Sequence, residues 1–309
     1  MLAVTGADGF IGRALVARLQ ADGRLLRELR RRADDGRGVA VGDIGPATDW
    51  SAALQEVKTV VHLAGLAHGR QGKGGDPEAA FMAVNAAGTE NLARQAARAG
   101  VRRLVYVSSI GVLGNSSGAR PFTADSPPAP VGPYARSKWL GEQAVCRVAA
   151  EFAGFETVIV RPPLVYGPGA PGNFARLVAL VRRGIPLPLG AVNNLRSLVA
   201  RDNLVDLLAH CLEAPAAAGQ TLLVSDDDDV STPQLIREIA WATGRRPRLL
   251  PVPPALLRLA GRLLGKSAEV ERLCGTLQVD ISQTRRLLGW SPPISRTEAL
   301  RKTLHEHGA

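Results

Sequence analysis

The apolar positions of the chain alternate between short continuous runs and helical spacing, which predicts buried strands interleaved with amphipathic helices. Leu2–Thr5 is a short apolar run. After glycines at 6, 9 and 12, Leu15, Val16 and Leu19 recur on one helical face. Residues 25–29 and 39–41 read as the second and third strands, and residues 59–65 as a fully apolar fourth strand that ends in small residues. Residues 77–99 carry one long helical pattern. A fifth strand at 104–107 runs into Ser108 and Ser109, a helix follows from Tyr134 to about residue 153, and Glu156–Arg161 is a sixth strand.

Beyond that point the regular rhythm stops. Residues 162–169, PPLVYGPG, mark a crossing into a second lobe. There the pattern predicts helices from Asn173 to about 183 and over 202–212, and a strand over 222–224. A further helix begins at Pro233 behind a Ser231 or Thr232 cap. Residues 226–229 are four aspartates without the alternating spacing of a calcium loop, and they read as a solvated turn. Residues 255–264 interleave leucines with arginines. Such a basic amphipathic helix can touch a membrane surface, but packing on the lobe with the arginines outward is expected. The architecture is therefore α/β: a doubly wound parallel sheet over residues 1–165 and a smaller α+β lobe over 166–309. The chain crosses back near 191–212.

Composition supports a soluble α/β protein, with 46% of the 309 residues hydrophobic and 21% charged. The net charge of +10 invites a nucleic-acid partner. However, the basic residues are spread along the chain and aromatics make up only 4%, so no interleaved basic–aromatic surface is visible. Cys146, Cys211 and Cys274 are widely spaced, suggest neither a disulfide framework nor a zinc site, and read as small buried apolar residues; no metal is expected. No apolar run approaches the roughly 18 residues of a membrane span, and no leader pattern opens the chain, so a cytoplasmic protein without membrane insertion is expected.

The chemistry starts at the glycine turn. A strand, a tight Gly-rich turn and a helix N-terminus suit a dinucleotide pyrophosphate, because the backbone approaches the phosphates without Cβ clashes and free N–H groups face them. Arg30, Arg31 and Arg32 end the second strand, where arginine suits the extra phosphate of NADP and an acid would suit NAD; they are also ordinary solvated residues. Asp43 followed by Ile44 can bond an adenine amino group and cover the ring, the alternative being a plain Asx turn. His62, inside an apolar strand, reads as a satisfied core residue. Residues 69–75 form a glycine-rich loop able to move near a substrate. Asn85 lies in an Ala-rich helical face and is expected to fasten neighbouring backbone. Tyr134 and Lys138 are four apart and share a helix face. A nearby ammonium lowers the phenol toward working pH, so Tyr134 can exchange a proton with a substrate oxygen that Ser109 also bonds.

Taken in order, VTGADGFIG, GDI, HLAG, VNAAGT, VYVSSIGVLG, YARSK and RPPLVYGPG resemble the extended short-chain dehydrogenase/reductases, within their nucleotide-sugar epimerase/dehydratase group. The resemblance covers nearly the whole chain and implies a Rossmann fold. It implies that Ser109, Tyr134 and Lys138 carry the chemistry. It also places Gly6, Gly9, Gly12, Asp43, Leu63, Ala64, Asn85 and Pro163 around the dinucleotide, a shell that extends to Phe10, Ile11, Arg31, Ile44, Gly65, Ser108, Tyr134 and Lys138. Ser109, Asn173 and Arg196 are implied to meet the nucleotide-sugar substrate, the last two at its diphosphate.

The implied cofactor is NADP(H) or NAD(H), with NADP(H) favoured by the arginines. The implied reaction is C4 reduction of a UDP-4-keto-6-deoxy-N-acetylhexosamine in bacterial surface polysaccharide synthesis. The alternative is a UDP-sugar 4-epimerase, although Ala67 stands where the familiar UDP-galactose epimerases carry lysine. A dehydratase is less favoured because Ile110 and Gly111, not acids, follow Ser109. A non-catalytic NADP-binding sensor is more remote, since Tyr134 and Lys138 are intact. The resemblance further implies a homodimer built on the helices that carry Asn85 and Tyr134.

Overall fold

The computed structural model describes residues 1–33, 36, 38–67 and 76–305, and the 69–75 loop falls outside them. Nine strands are present among the described residues: β1 (Leu2–Thr5), β2 (Leu26–Arg30), β3 (Val39–Ala40), β4 (Thr59–His62), β5 (Arg103–Val107), β6 (Glu156–Arg161), β7 (Leu164–Tyr166), β8 (Leu198–Ala200) and β9 (Thr221–Leu223). Seven form one parallel sheet in the order β3-β2-β1-β4-β5-β6-β9, and β7 pairs with β8 in a small second sheet. In register, Val4 stands between Glu28 of β2 and Val61 of β4. Strands such as β5 are buried along their length because helices cover both faces, which is why they read as apolar runs. The strand order reverses between β1 and β4, and a crevice opens there at the C-terminal strand ends.

On one face of the sheet, α1 (Phe10–Ala21) packs Leu15 and Leu19 into a core that includes Leu204, Leu208 and Val160. On the other, α2 (Pro77–Phe81), α3 (Gly88–Arg98) and α4 (Pro133–Glu151) cover the strands, with Leu92, Ala96, Val145 and Val148 buried against Leu104 and Tyr106. In the second lobe α5 (Asn173–Arg182) supplies Phe174 and Val178 to a separate core. The next helix, α6 (Arg201–Cys211), returns to the first lobe beside α1, and β9 then joins the main sheet at β6. The remaining helices α7 (Thr232–Ala242), α8 (Pro254–Leu263), α9 (Ser267–Cys274), α10 (Ser282–Leu288) and α11 (Arg296–His305) complete the chain.

Several local expectations change. Residues 77–99 are not one α-helix, because a π-helical segment, Met82–Ala87, separates α2 from α3 and contains Asn85. β4 stops at His62 because the following backbone is held by side chains. Ala64 N donates to Thr5 Oγ1 at 3.1 Å, and Leu66 N to Asn85 Oδ1 at 2.8 Å. The aspartates 226–229 are a solvated turn only in part, since Asp227 and Asp228 are exposed but the flanking two are not. Asp226 is buried and accepts from Tyr166 Oη (2.7 Å), Asn203 Nδ2 (2.7 Å) and Ala200 N (2.8 Å), tying the second sheet to α6. Asp228 pairs with Arg296 at 3.0 Å, and Asp229 accepts from Gln278 at 2.7 Å. Cys146 is exposed on α4, whereas Cys211 and Cys274 are buried. Leucines as well as arginines face outward on α8. Among the described residues no helix is long and apolar enough to cross a membrane, and no His, Cys, Asp or Glu cluster is fit to hold a metal.

Candidate active site

The cofactor-side and proton-transfer candidates picked out in the sequence follow the C-terminal ends of the main-sheet strands or lie on the helices packed beside them. Gly6 follows β1 with φ +65°, and a Cβ there would lie 2.9 Å from Ala64 N. At Gly12 a Cβ would lie 2.0 Å from the Gly6 carbonyl oxygen, so the turn tolerates no side chain at that point. Gly9 is the N-cap of α1 and offers no side-chain cap, and the first-turn N–H groups after it lack intrahelical partners. The result is a backbone cradle shaped for phosphate. Ile11 packs on the core beneath it, and the Phe10 ring lies under the Arg201 guanidinium at 5.6 Å, joining the turn to the start of α6.

On one side of the cradle, at the ends of β2 and β3, Arg31 and Asp43 form an exposed ion pair at 3.0 Å. These two candidate cofactor residues therefore hold each other. Arg30 pairs instead with Glu28, at 2.5 Å. Ile44 packs against the backbone of Gly88 at the start of α3, where a Cβ would come within 2.8 Å of Ile44 Cγ2. On the other side, Leu63, Ala64 and Gly65 leave β4, Ser108 leaves β5, and Pro163 follows β6 and is buried. The Ser108 backbone N–H bonds Val160 O at 2.8 Å, yet its hydroxyl is buried with no hydrogen-bond partner among the described residues. A glycine cradle that a Cβ would fill after β1, and an orphaned hydroxyl after β5 on the same sheet edge, fit a bound dinucleotide.

The candidate reactive group is built at the N-terminus of α4. Gly132, at φ +85°, turns the chain into Pro133, which is pre-set for the first helical position. Tyr134 and Lys138 follow one turn apart. The Ser109 hydroxyl accepts from Gly111 N at 3.1 Å and hydrogen-bonds the Tyr134 phenol. Asn85 bonds both the N–H and the carbonyl of Leu66, and its Nδ2 also donates to Ser137 Oγ at 3.0 Å. Ser137 in turn donates to the Tyr134 carbonyl at 2.8 Å, so one buried amide couples the chain after β4 to the first turn of α4. A Cβ on Gly65 would lie 2.9 Å from Asn85 Oδ1 and 3.9 Å from Lys138 Nζ, which places all three around one point.

Electrostatics at this point depart from the spacing argument in one respect. Desolvation pushes the Tyr134 phenol above its ordinary value, with the Ser109 hydrogen bond only partly offsetting it. Proximity to a lysine does not by itself lower the phenol, because a buried neutral hydroxyl resists ionisation. Burial also drives Lys138 down to about 7, opposed by the negative charge of Glu142. His62 is held neutral, near 3, by burial and then by the charge of Lys138. It bonds Thr5 Oγ1 at 2.7 Å and Thr89 Oγ1 at 3.1 Å, as a satisfied core histidine should.

Three residues of this site escaped the sequence reading. Lys138 Nζ sits 4.3 Å above the Tyr106 ring centroid, a cation–π platform whose other neighbour is the stacked His62 ring at 5.6 Å. One turn along α4 from Lys138, Glu142 makes a two-pronged buried pair with Arg161 of β6, at 2.9 and 2.6 Å. The i, i+4 position of Glu142 and the arginine closing an otherwise apolar strand were the available signals.

The substrate-side candidates lie apart from this centre. Asn173 is exposed at the first turn of α5. Arg196 lies between the lobe's loops, where its Nη1 donates to the carbonyls of Arg272 (2.8 Å) and Gly275 (3.1 Å) and burial lowers its pKa. A cavity of about 620 Å³ lies elsewhere, between α1 and α6. Its charged walls are paired to one another, Arg18 with Asp206 and Arg24 with Glu213, and none of the candidate residues lines it.

Comparison with known proteins shows the family of the chain. Residues 2–224 match the NAD dependent epimerase/dehydratase family. Over 306 residues, 97% of this chain and 93% of the relative, the sequence is 44% identical to a UDP-glucose 4-epimerase of Vibrio cholerae. A UDP-glucose 4-epimerase of Mycolicibacterium smegmatis is 30% identical over 321 residues, 97% of this chain and 96% of the relative. Among solved structures, MoeE5 in complex with UDP-glucose and NAD superposes with a TM-score of 0.79 at 25% identity, covering 99% of this chain and 98% of that one. With the cradle, the Ser109–Tyr134–Lys138 group and the match to two thirds of its length, the chain belongs to the NAD-dependent epimerase/dehydratase family.

Proposed function

We propose that the protein is a UDP-sugar 4-epimerase acting on a UDP-hexose. The observation that carries this reading is the 44% identity, along almost the whole chain, to a UDP-glucose 4-epimerase. A bound nicotinamide supplies hydride exchange at the sugar carbon. The residues fitted to hold the dinucleotide are Gly6, Gly9 and Gly12 at the pyrophosphate, with Leu63, Ala64, Gly65, Ser108 and Pro163 along its length. Asn85 acts on this shell through Leu66. Asn173 and Arg196 are assigned to the substrate diphosphate, where a planar guanidinium suits phosphate oxygens.

Tyr134 moves the proton. Ionised to the phenolate against the burial that holds its proton, its oxygen would take the proton of the C4 hydroxyl as the hydride of that carbon is given up to a bound nicotinamide, leaving a 4-keto sugar. With the other face of the ketone presented, Tyr134 would return the proton to that oxygen as the hydride is given back, which regenerates the phenolate. Ser109 bonds the same oxygen, and Lys138, one turn along α4 and held over the Tyr106 ring, supplies a positive charge to the site while protonated.

A second reading, reduction of a UDP-4-keto sugar with NADPH as donor, is favoured by two observations. Desolvation keeps the proton on Tyr134, ready for donation, and β2 ends at Arg30 and runs on into Arg31 and Arg32. Incubation of the protein with UDP-glucose and catalytic NAD distinguishes the two: an epimerase yields UDP-galactose with no net reduced cofactor. Stoichiometric loss of NADPH absorbance on a UDP-4-keto-6-deoxy-N-acetylhexosamine, with UDP-glucose untouched, would replace the epimerase by the reductase.

A further inference from the structure

Helix α8 turns an apolar stripe away from the protein. Gly261 is buried against Val270 of α9, where a Cβ would come within 2.7 Å of Val270 Cγ2, and Leu257 is half-buried on that same side. Leu256, Leu259 and Leu263 are 55%, 53% and 79% exposed, and Leu264 just beyond the helix is 71% exposed. At 3.6 residues per turn the first three fall on one outward stripe, away from Leu257 and Gly261, with Arg258 and Arg262 along its border. Lys266 follows in the turn to α9. Residues 245–273 hold seven arginines and lysines but only two acids, and one of those, Glu271, already pairs with Arg258 at 3.3 Å.

We propose that α8 is an interfacial anchor that docks this protein on an anionic phospholipid bilayer. Leu256, Leu259 and Leu263 enter the boundary between headgroups and acyl chains, and Arg262 and Lys266 take headgroup phosphates. A bilayer supplies what the helix displays, an apolar layer and a negative plane side by side. A second copy of the chain fits less well. A two-fold contact through this stripe would bring each excess of positive charge against its own copy. The anchor is also joined to the candidate substrate site, since the carbonyls that hold Arg196 belong to Arg272 in α9 and to Gly275 just after it. The helix lies on the surface and spans nothing.

Flotation of the purified full chain with vesicles of phosphatidylcholine, with and without phosphatidylglycerol, tests the proposal. The protein is expected to float with the anionic vesicles at low salt and to be released as salt rises. A Leu259→Glu/Leu263→Glu variant should lose about tenfold or more of the bound fraction. Arg262→Glu/Lys266→Glu should abolish the preference for phosphatidylglycerol. Both pairs lie outside the catalytic group, so thermal melting and turnover of a water-soluble UDP-sugar should match the wild type. The proposal is overturned if the wild-type chain stays unbound with anionic vesicles at low salt, or if the leucine variant binds as well as the wild type. A fall in light-scattering mass in the leucine variant would equally overturn it, by showing that a second copy covers the stripe.

Discussion

Replacing Glu142 by glutamine separates the two things this buried carboxylate does. Its side chain and that of Arg161 are 2% and 6% exposed, and both oxygens are engaged by the guanidinium. Removing the negative charge leaves Arg161 buried and uncompensated, a change that destabilises by roughly 3–5 kcal/mol. Glutamine keeps one acceptor for Arg161, so the lower end applies, about 3 kcal/mol; at about 2–4 °C per kcal/mol this is a fall in Tm of roughly 6–12 °C. The Glu142→Met/Arg161→Met double variant removes both charges and should recover most of the loss.

The second effect falls on Lys138. The Glu142 charge raises its pKa against burial, so without it Lys138 should lose its proton below about 7. If turnover needs the ammonium, the alkaline limb of the pH–activity profile moves toward acid in Glu142→Gln, while a merely destabilising substitution lowers activity without moving the limb. The assays are scanning calorimetry and the pH dependence of sugar interconversion at a temperature well below both transitions. An unchanged Tm would refute the ion-pair reasoning, and a superimposable pH profile would refute the coupling to Lys138.

Three further outcomes follow from the same geometry. Lys138 has a folded-state pKa of about 7 against an ordinary 10.5, so its burial destabilises the apo protein fully below pH 7 and the penalty is relieved as pH rises between those values. Lys138→Met should therefore raise Tm near pH 6 by more than it does near pH 10 while abolishing turnover; a lower Tm at pH 6 would contradict this. Gly12→Ala forces a Cβ to within 2.0 Å of the Gly6 carbonyl, so the turn must open, and calorimetric titration should show NAD affinity reduced by more than about tenfold. The helices α3 and α4 are proposed as the faces of a homodimer, which light scattering at micromolar protein would report as twice the 32.6 kDa chain mass and a monomeric mass would exclude.

Much of this molecule was legible in its sequence for definite physical reasons. Strands buried on both faces leave apolar runs, and a tight turn against a neighbouring backbone demands glycine, so β1, β4, β5, β6 and the Gly6–Gly12 cradle could be read directly. Tyr134 and Lys138 were legible because helical periodicity puts them on one face. What could not be read depends on partners distant along the chain. Asp226 looked solvated in a run of aspartates, yet Tyr166, Ala200 and Asn203 enclose it. Burial, invisible in a Tyr-x-x-x-Lys spacing, sets the direction of the Tyr134 shift. The periodicity of α8 showed an amphipathic helix but not which side met the lobe, and its leucines face out. Arg31 and Asp43 were each read against a nucleotide, and only their tertiary placement shows them paired with one another.

The proposed reading is that Tyr134 exchanges the proton of the C4 hydroxyl of a UDP-sugar while hydride leaves and returns at that carbon. Its most direct measurement is the conversion of UDP-galactose deuterated at C4, followed by mass spectrometry and NMR for the wild type and for Tyr134→Phe. The wild type should give UDP-glucose with the deuterium retained at C4. Tyr134→Phe should bind NAD normally and turn over about 10²–10⁴ times more slowly. Conversion by Tyr134→Phe at the wild-type rate, or loss of the deuterium to solvent, would contradict it.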